Sequence, residues 1–394
     1  MYIKRIADQF LSGILDRSKI GIVLGARQVG KTTLVEHVLA GRKTLFLNLD
    51  VEIDKQRFMA AAALAPADGL KSLGNPEVLV VDEAQRLPEA SRIAKGWYDS
   101  KLPVKMLLLG SSSLNLLDQA AETLTGRNEE LLLPPLVFEE ALRCQSWYSD
   151  AYPPQILREK FAAPLRVCLM QSLAFGSYPE VVLAEEKSRM LRLLSSDYLW
   201  KDVVQAGLVK SPDLIKRLLT LLAHQAGSEI STHELATQLQ MARPTVERYL
   251  ELLEQTYVIF RLPSFSTNPR KEIARSKKVF FWDTGIRNAL LNAFSTHELR
   301  PDIGRLWEVW VIAEAAKYNL LHGGTGKLYF WRSRAQSEVD LVIKFGDQLR
   351  AFEIKWNPRR RSATRAFSAV YGIDVETITN VDPFMGLRLK TGEI

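Results

Sequence analysis

The sequence predicts an α/β chain of three folded units and a helical connector. Three observations predict it. In the first third, short apolar runs ending in glycine-rich or acidic turns alternate with helix-compatible stretches, the pattern of a parallel sheet covered by helices. Over residues 231–263, two amphipathic stretches separated by a short turn lead into a strand-like run. In the last third, an amphipathic stretch precedes three strand-like runs, two of them joined by Gly346-Asp347, a hairpin turn signal. The length of 394 residues agrees, since domains of about 150 residues give two or three.

Composition excludes several classes. Hydrophobic residues make up 47% and charged residues 25%, the mix of a folded protein rather than a disordered one. Cys144 and Cys168 are the only cysteines, which rules out a disulfide framework or a cysteine-rich zinc site. The histidines at 37, 224, 233, 297 and 322 form no HxxxH pair, so a zinc hydrolase is not expected. No apolar run approaches the roughly 18 residues of a membrane span. The N-terminal stretch carries Asp8 and Gln9 and does not read as a signal peptide. A cytoplasmic protein with no membrane partner is the expectation.

The first element is a strand over Ile20–Leu24, a turn, and a helix starting in TTLVEHVLA. Gly25-Ala-Arg-Gln-Val-Gly30-Lys31-Thr32 matches GxxxxGK[ST], the phosphate-binding loop. Gly25 and Gly30 let the backbone turn its N–H groups onto phosphate oxygens, and the helix directs its positive end at the same anion. Lys31 reaches the β and γ phosphates, and the Thr32 hydroxyl is placed to ligate Mg²⁺. Arg27 and Thr33 join the nucleotide-binding set. The next apolar run, Val78–Val81, ends in Asp82 and Glu83. Asp82 would hold Mg²⁺ through water, and Glu83 would polarise the attacking water. The run Val104–Leu109 leads into Gly110-Ser111-Ser112-Ser113, where Ser111 or Ser112 is a candidate γ-phosphate sensor or part of a plain Gly-Ser loop. Arg127 is a candidate arginine finger, acting in cis or in trans, or a solvated side chain.

GARQVGKTTL, VLVVDEAQRLP, LLLGSSSLNLL, LTGR and PPLVFEEAL, in this order, resemble the prokaryotic AAA-type ATPases that carry a C-terminal DUF4143 region. Gly176-Ser-Tyr178-Pro179-Glu180 resembles the GxYP stretch that follows the ATPase core of that family. The resemblance covers nearly the whole chain. It implies an AAA+ P-loop ATPase that uses ATP and Mg²⁺, with a DNA-directed role. Leu191, Leu194, Tyr198 and Leu199 share a helix face in the connector, and Tyr198, Lys201 and Asp202 lie in a stretch resembling the family's joining helix.

Ser231 and Glu234 have capping-box spacing. Leu235, Ala236 and Leu239 form one apolar face, and Val246, Leu250 and Leu253 the next. Pro244 suits a first helical turn. This reads as a winged helix-turn-helix, with Arg243, Thr245 and Arg248 outward on the helix that enters a major groove in DNA-binding versions. The same pattern serves a winged helix that packs between domains, and Glu247, Glu251 and Glu254 dilute its positive face.

In the last third, Asp340, twelve intervening residues and Glu353-x-Lys355 have the layout of the PD-(D/E)xK nuclease family, without its leading Pro. Strand alternation puts Glu353 and Lys355 on one face, and Glu308 resembles the helical acid of that family. Asp340, Glu353 and Glu308 would bind Mg²⁺. Lys355 would orient the water or stabilise charge developing on phosphate. A nuclease-like fold that no longer cuts has the same pattern. The whole chain has 52 basic and 45 acidic residues, a net charge of +7. Residues 261–361 hold 19 lysines and arginines against 10 acids, an excess of nine. Arg270-Lys271, Arg275-Ser-Lys277-Lys278 and Arg359-Arg360-Arg361 suit phosphates, or a solvated surface.

The expected boundaries are an AAA+ core over 1–140, a helical lid or linker over 141–215, a winged helix over 216–265 and a nuclease-like α/β domain over 266–394. The expected function is ATP-dependent DNA processing, branched DNA included. The alternative is a nucleotide-dependent switch whose C-terminal domain binds DNA or protein without cutting. A trans-acting Arg127 requires a homo-oligomer.

Overall fold

The structure is a computed structural model. It describes residues 2–111, 124–205, 212–266, 277–333, 337–357 and 365–384, with backbone alone at 197–205 and 212. The chain divides into two compact units, Met1–Pro134 with Gln255–Tyr257, and Pro135–Glu254 with Val258–Ile394.

The first unit is built on a parallel sheet of β1 (Ile20–Leu24), β2 (Thr44–Asn48), β3 (Val78–Asp82), β4 (Lys105–Gly110) and β5 (Asn128–Leu132), in the order β2-β3-β4-β1-β5. Its central strands are buried along nearly their whole length, as strands covered on both faces must be. The packing is tight. A Cβ on Gly21 would come within 2.4 Å of the Leu107 side chain. Helices Lys31–Val38 and Ala90–Asp99 follow β1 and β3, and the core runs from Ile20 and Leu24 through Phe58, Val81 and Trp97. The helix 7–15 is held at its C-terminal end by the Lys105 ammonium, which donates to the carbonyls of Ile14 and Arg17, an arrangement that complements the helix dipole.

In the second unit, helices Phe138–Leu142, Pro154–Lys160, Ala162–Phe175, Pro179–Leu183, Lys187–Gln205 and Pro212–His224 come first. The residues expected as a lid or linker, up to 205, fall in this unit. Then comes β6 (Glu229–Ile230), helix Thr232–Leu239, helix Arg243–Gln255, β7 (Ile259–Pro263) and β8 (Lys277–Phe281), the strands forming a sheet in the order β6-β8-β7. The Ser231 side chain caps the first of these helices by accepting from the Glu234 N–H, and Gln240 ends it in the left-handed conformation. Pro244 sits at the second position of the next helix. The apolar faces read from the sequence are buried, and Arg243 and Arg248 lie away from them, both exposed.

Helices Thr284–Leu291 and Ile303–Leu321 lead to β9 (Lys327–Arg332), β10 (Glu338–Phe345) and β11 (Gln348–Lys355), then helix Arg365–Tyr371 and β12 (Val375–Thr379). The sheet order is β12-β11-β10-β9, with β9, β10 and β11 antiparallel and β12 parallel to β11. The β10–β11 hairpin closes at Phe345–Gln348 around Gly346 at φ 57°, a glycine in the first central position of a two-residue loop.

The Gly-Ser-Tyr-Pro segment is structural. Ser177 donates to Asp283 Oδ2 from its N–H and its hydroxyl, and Asp283 also caps helix Thr284–Leu291. Gly176 has φ 73°, and a Cβ there would meet Asp283 Oδ1 at 2.0 Å. Lys317 donates to Ser177 Oγ, the Leu136 carbonyl and Glu314 Oε1. The other Glu314 oxygen accepts the Phe138 N–H. Glu314 and Lys317 are 1% and 2% exposed. Burial raises the Glu314 pKa, with Lys317 pulling the other way. Removing one member leaves the other as an uncompensated buried charge, at about 3–5 kcal/mol. Lys317→Met is therefore expected to lower the thermal midpoint of the unit markedly, and Glu314→Leu/Lys317→Met to recover part of it. A single variant melting with the wild type would refute the role.

Candidate functional site

The turn from β1 into helix Lys31–Val38 has the geometry expected of its glycines. Gly25 lies at φ 153° with its hydrogen side against the Leu133 carbonyl, where a Cβ would sit 2.1 Å away. Gly30 is left-handed at φ 90° and caps the helix. Lys31 is 7% exposed, and its Nζ donates to the Gly25 and Ala26 carbonyls at 2.9 Å each. Thr32 Oγ1 donates to Asp82 Oδ2 at 2.7 Å, so the two residues expected at Mg²⁺ meet across 50 positions of sequence. A hydroxyl beside a carboxylate is the hard-oxygen pair that suits Mg²⁺. Thr33 is exposed in the first helical turn.

Glu83 follows β3 in the left-handed conformation, φ 51° and ψ 40°. That costs a non-glycine residue about 1–2 kcal/mol and marks a position worth a functional test. Its carboxylate accepts from Gln85 Nε2 and lies 4.0 Å from the Arg27 guanidinium. Arg27 also lies 3.6 Å from Asp50. Ser111 is 1% exposed at the end of β4, and its hydroxyl accepts from the same Gln85 Nε2 at 3.1 Å. Ser112 lies outside the described residues.

Sequence reasoning misses two residues of this site. Gln85 joins Glu83 to Ser111. Its position two residues after the acid is the only signal. Arg5, 4% exposed, donates to the Val29 carbonyl inside the loop at 3.0 Å and to the Pro134 carbonyl at 2.8 Å. Nothing in its sequence neighbourhood marks it.

Of the roles weighed for Arg127, the one in cis meets a geometric obstacle. Its carbonyl accepts from the Ile20 N–H, which puts it where β1 begins, whereas the phosphate loop leaves the other end at Leu24. The five residues of β1 span roughly 15 Å at about 3.3 Å each. Its guanidinium pairs with Asp99 at 2.8 Å. A finger acting in cis does not fit this position.

In the second unit the expected acid set is only partly assembled. Glu308, Glu338 and Asp340 each place a carboxylate oxygen within 4.8 Å of the others. Glu338 is not among the expected ligands, although it precedes Asp340 by two on one strand and so shares its face. Glu353 is not in that group. It is 4% exposed, with Oε1 on Lys355 Nζ at 3.0 Å and Oε2 buried without a hydrogen-bond partner. Asp340 Oδ2 accepts the Ile354 N–H at 2.7 Å.

Lys278, expected on the basic surface, is a second correction. It is 3% exposed, and its Nζ lies 3.1 Å from Glu308 Oε1, 2.5 Å from Glu338 Oε1 and 5.4 Å from the centre of the Phe330 ring. Burial opposes its charge, and Glu308, Glu338 and Asp340 outweigh that and raise its pKa. Lys355 is likewise raised, burial opposing and Glu353 prevailing. Both stay ammonium ions. The fit to a divalent ion is therefore poor: the ammonium of Lys278 already stands among the acids. An open cleft of about 1040 Å³ lies beside them, its lining including His224, Arg287, Arg305, Glu308, Lys355 and Trp356.

Arg261 of β7 pairs with both Glu247 and Glu254, at 2.5 and 2.6 Å, so two of the three acids on the Arg243–Gln255 helix are neutralised. Arg270, Lys271, Arg275 and Arg359–Arg361, and the side chains of Tyr198, Lys201 and Asp202, lie outside the described residues. Among the described residues no helix is long and apolar enough to cross a membrane.

The parallel sheet, its loop and the acids after β3 define a P-loop ATPase domain of the AAA type. Residues 17–142 match the family model described as an AAA domain, and residues 303–383 match the domain of unknown function DUF4143. The chain thus carries an AAA domain in its first third and a DUF4143 region in its last. Residues 168–297 match a further domain of unknown function, DUF8612. An uncharacterised protein of Mycobacterium tuberculosis is 28% identical over 89% of this chain and 74% of its own length. One from Methanocaldococcus jannaschii is 25% identical over 89% and 78%. Among solved structures, a Walker-type ATPase of Pyrococcus abyssi aligns with TM-score 0.50 and 17% identity over 74% of this chain and 96% of that one, a likeness of fold.

Asp340 gives a pH prediction. Burial, then the neighbouring Glu308, push its pKa from 3.8 up to about 7. Between those values the folded chain holds a proton that the unfolded chain has released, so stability falls as pH rises. Asp340→Asn is expected to flatten this slope between about pH 4 and 7 in denaturant titrations, and an unchanged slope would place the titration elsewhere.

Proposed function

We propose that the first unit hydrolyses ATP with Mg²⁺ and that the second holds a nucleic-acid backbone, branched DNA being the form to test first. The observation that carries the first part is the Thr32–Asp82 hydrogen bond at the carboxyl ends of β1 and β3, where Lys31 and Glu83 also stand. Mg²⁺, when bound, would offset the charge of the nucleotide's phosphates. Thr32 and Asp82 would hold it. Lys31 would exchange the Gly25 and Ala26 carbonyls for phosphate oxygens. Glu83 would accept the proton of the attacking water, and Gln85 and Ser111 would fix its direction. Arg127 would act only on a neighbouring subunit's nucleotide, which requires a homo-oligomer.

Support for the second part is the basic excess of residues 261–361 and the exposed Arg305 on the cleft beside Glu308. The position of Lys278 favours binding without cutting over Mg²⁺-dependent cleavage.

Lys31→Ala is expected to abolish ATP hydrolysis in a phosphate-release assay, and an unaffected rate would overturn the ATPase reading. Gln85→Ala is expected to lower kcat by roughly 10²-fold, in the range of general-base effects, with KM nearly unchanged. A change confined to KM would assign Gln85 to nucleotide binding. Affinity for a four-way junction and for a duplex is expected to fall steeply with salt. Failure to bind either at low salt would remove the DNA reading and leave the ATPase reading intact.

A further inference from the structure

From the arrangement around Lys278 we infer that its ammonium is a built-in cation that occupies the acid cluster of the C-terminal sheet in place of a divalent metal. The carboxylates of Glu308, Glu338 and Asp340 come from two elements, helix Ile303–Leu321 and β10, and converge within 4.8 Å. Such a cluster in a half-buried position repels itself unless a positive charge enters. Lys278 supplies that charge from a third element, β8, the middle strand of the β6-β8-β7 sheet.

The geometry is closed around it. Nζ touches one oxygen of Glu308 and one of Glu338, and the Phe330 ring lies within cation–π range. The second Glu338 oxygen is taken by Arg332, which also pairs with Glu229 of β6. One Asp340 oxygen is taken by the Ile354 N–H. Lys355 is engaged by Glu353. The acids of the cluster therefore have hydrogen-bonding partners drawn from the chain itself. Lys278, Lys355 and Arg332 are thus each already engaged by carboxylates of the chain, and Lys278 is the cation that stands inside the acid group itself.

The rival is a metal held by Asp340 and Glu353, whose buried Oε2 has no hydrogen-bond partner. One experiment separates the two. Mn²⁺ is titrated into the nucleotide-free full-length protein and followed by electron paramagnetic resonance. The wild type is expected to show no site that depends on Asp340 or Glu353. Lys278→Met is expected to gain one ion, bound at least about tenfold more tightly than any wild-type site, the scale on which neighbouring groups tune metal affinity. Asp340→Asn added to Lys278→Met is expected to abolish it.

A wild-type Mn²⁺ site lost in Asp340→Asn or Glu353→Gln overturns the inference. So does a folded Lys278→Met that gains no ion. If Lys278→Met does not fold, the charge-balanced Lys278→Met/Glu308→Gln is expected to fold. Failure of that pair too, with Lys278→Arg folded, leaves the wild-type titration to decide by the same criterion. None of these readouts depends on ATP hydrolysis or DNA binding.

Discussion

A charge removed from water must meet an opposite charge inside the protein, and the second unit is organised by that constraint. Glu314 and Lys317 sit one turn apart on the helix Ile303–Leu321, almost without exposure. Neither is tolerable alone. Their remaining hydrogen-bonding capacity is taken up by the Phe138 N–H, the Leu136 carbonyl and Ser177. These groups come from segments some 140 to 180 residues away in sequence. Ser177 passes the chain of contacts on to Asp283, which caps the next helix. Backbone conformation follows from the same network, because Gly176 and Gly285 sit where a side chain would collide with Asp283 or with the Phe175 carbonyl. A segment that resembles a functional signature is thus a packing requirement.

The first unit faces a different problem. A loop that binds phosphate must hold its N–H groups unpaired and aimed at one point before the phosphate arrives. The positive φ of Gly25 and Gly30 sets the path, and Arg5 ties the loop's Val29 carbonyl to the Pro134 carbonyl beyond β5. Hydrogen bonds from a charged donor are worth about 1.5–3 kcal/mol each. Glu83 is likewise held in a conformation it would not choose, between Gln85 and Arg27.

Legibility in the sequence follows how local the cause is. The phosphate loop is fully readable, since its function is in its spacing. Strands β1, β3 and β4 are readable as apolar runs. β5 is not, because Asn128-Glu-Glu is a poor strand sequence that pairs only as the sheet's edge beside β1. The β10–β11 hairpin is readable from its turn, and it brings Asp340 to the strand that carries Glu353, as expected. Yet register does not fix side-chain direction at the tip. Glu353 turns to Lys355, and Glu338 enters the acid group instead. Lys278 is not readable, because a run of basic residues carries no sign of which one is buried. Only the tertiary fold, bringing β8 against helix Ile303–Leu321, decides that.

The same burial changes what the basic excess of residues 261–361 means. Arg261, Lys278, Arg287, Arg300, Lys317, Arg332, Arg350 and Lys355 each hold a carboxylate within the chain. A cation in such a pair, buried most of all, is already neutralised and releases no counterion when a phosphate approaches. The number of phosphates neutralised sets the salt dependence of binding, with a slope of about −0.9 per contact on duplex DNA. An excess of nine charges therefore does not translate into nine contacts. What a nucleic acid would meet in this stretch is a smaller set of exposed cations, Lys277, Arg305 and Lys327 being among those of the described residues, with Arg243 and Arg248 exposed on the helix before it. Net charge points to the half of the chain that suits a polyanion, and burial decides which of its cations are available to one.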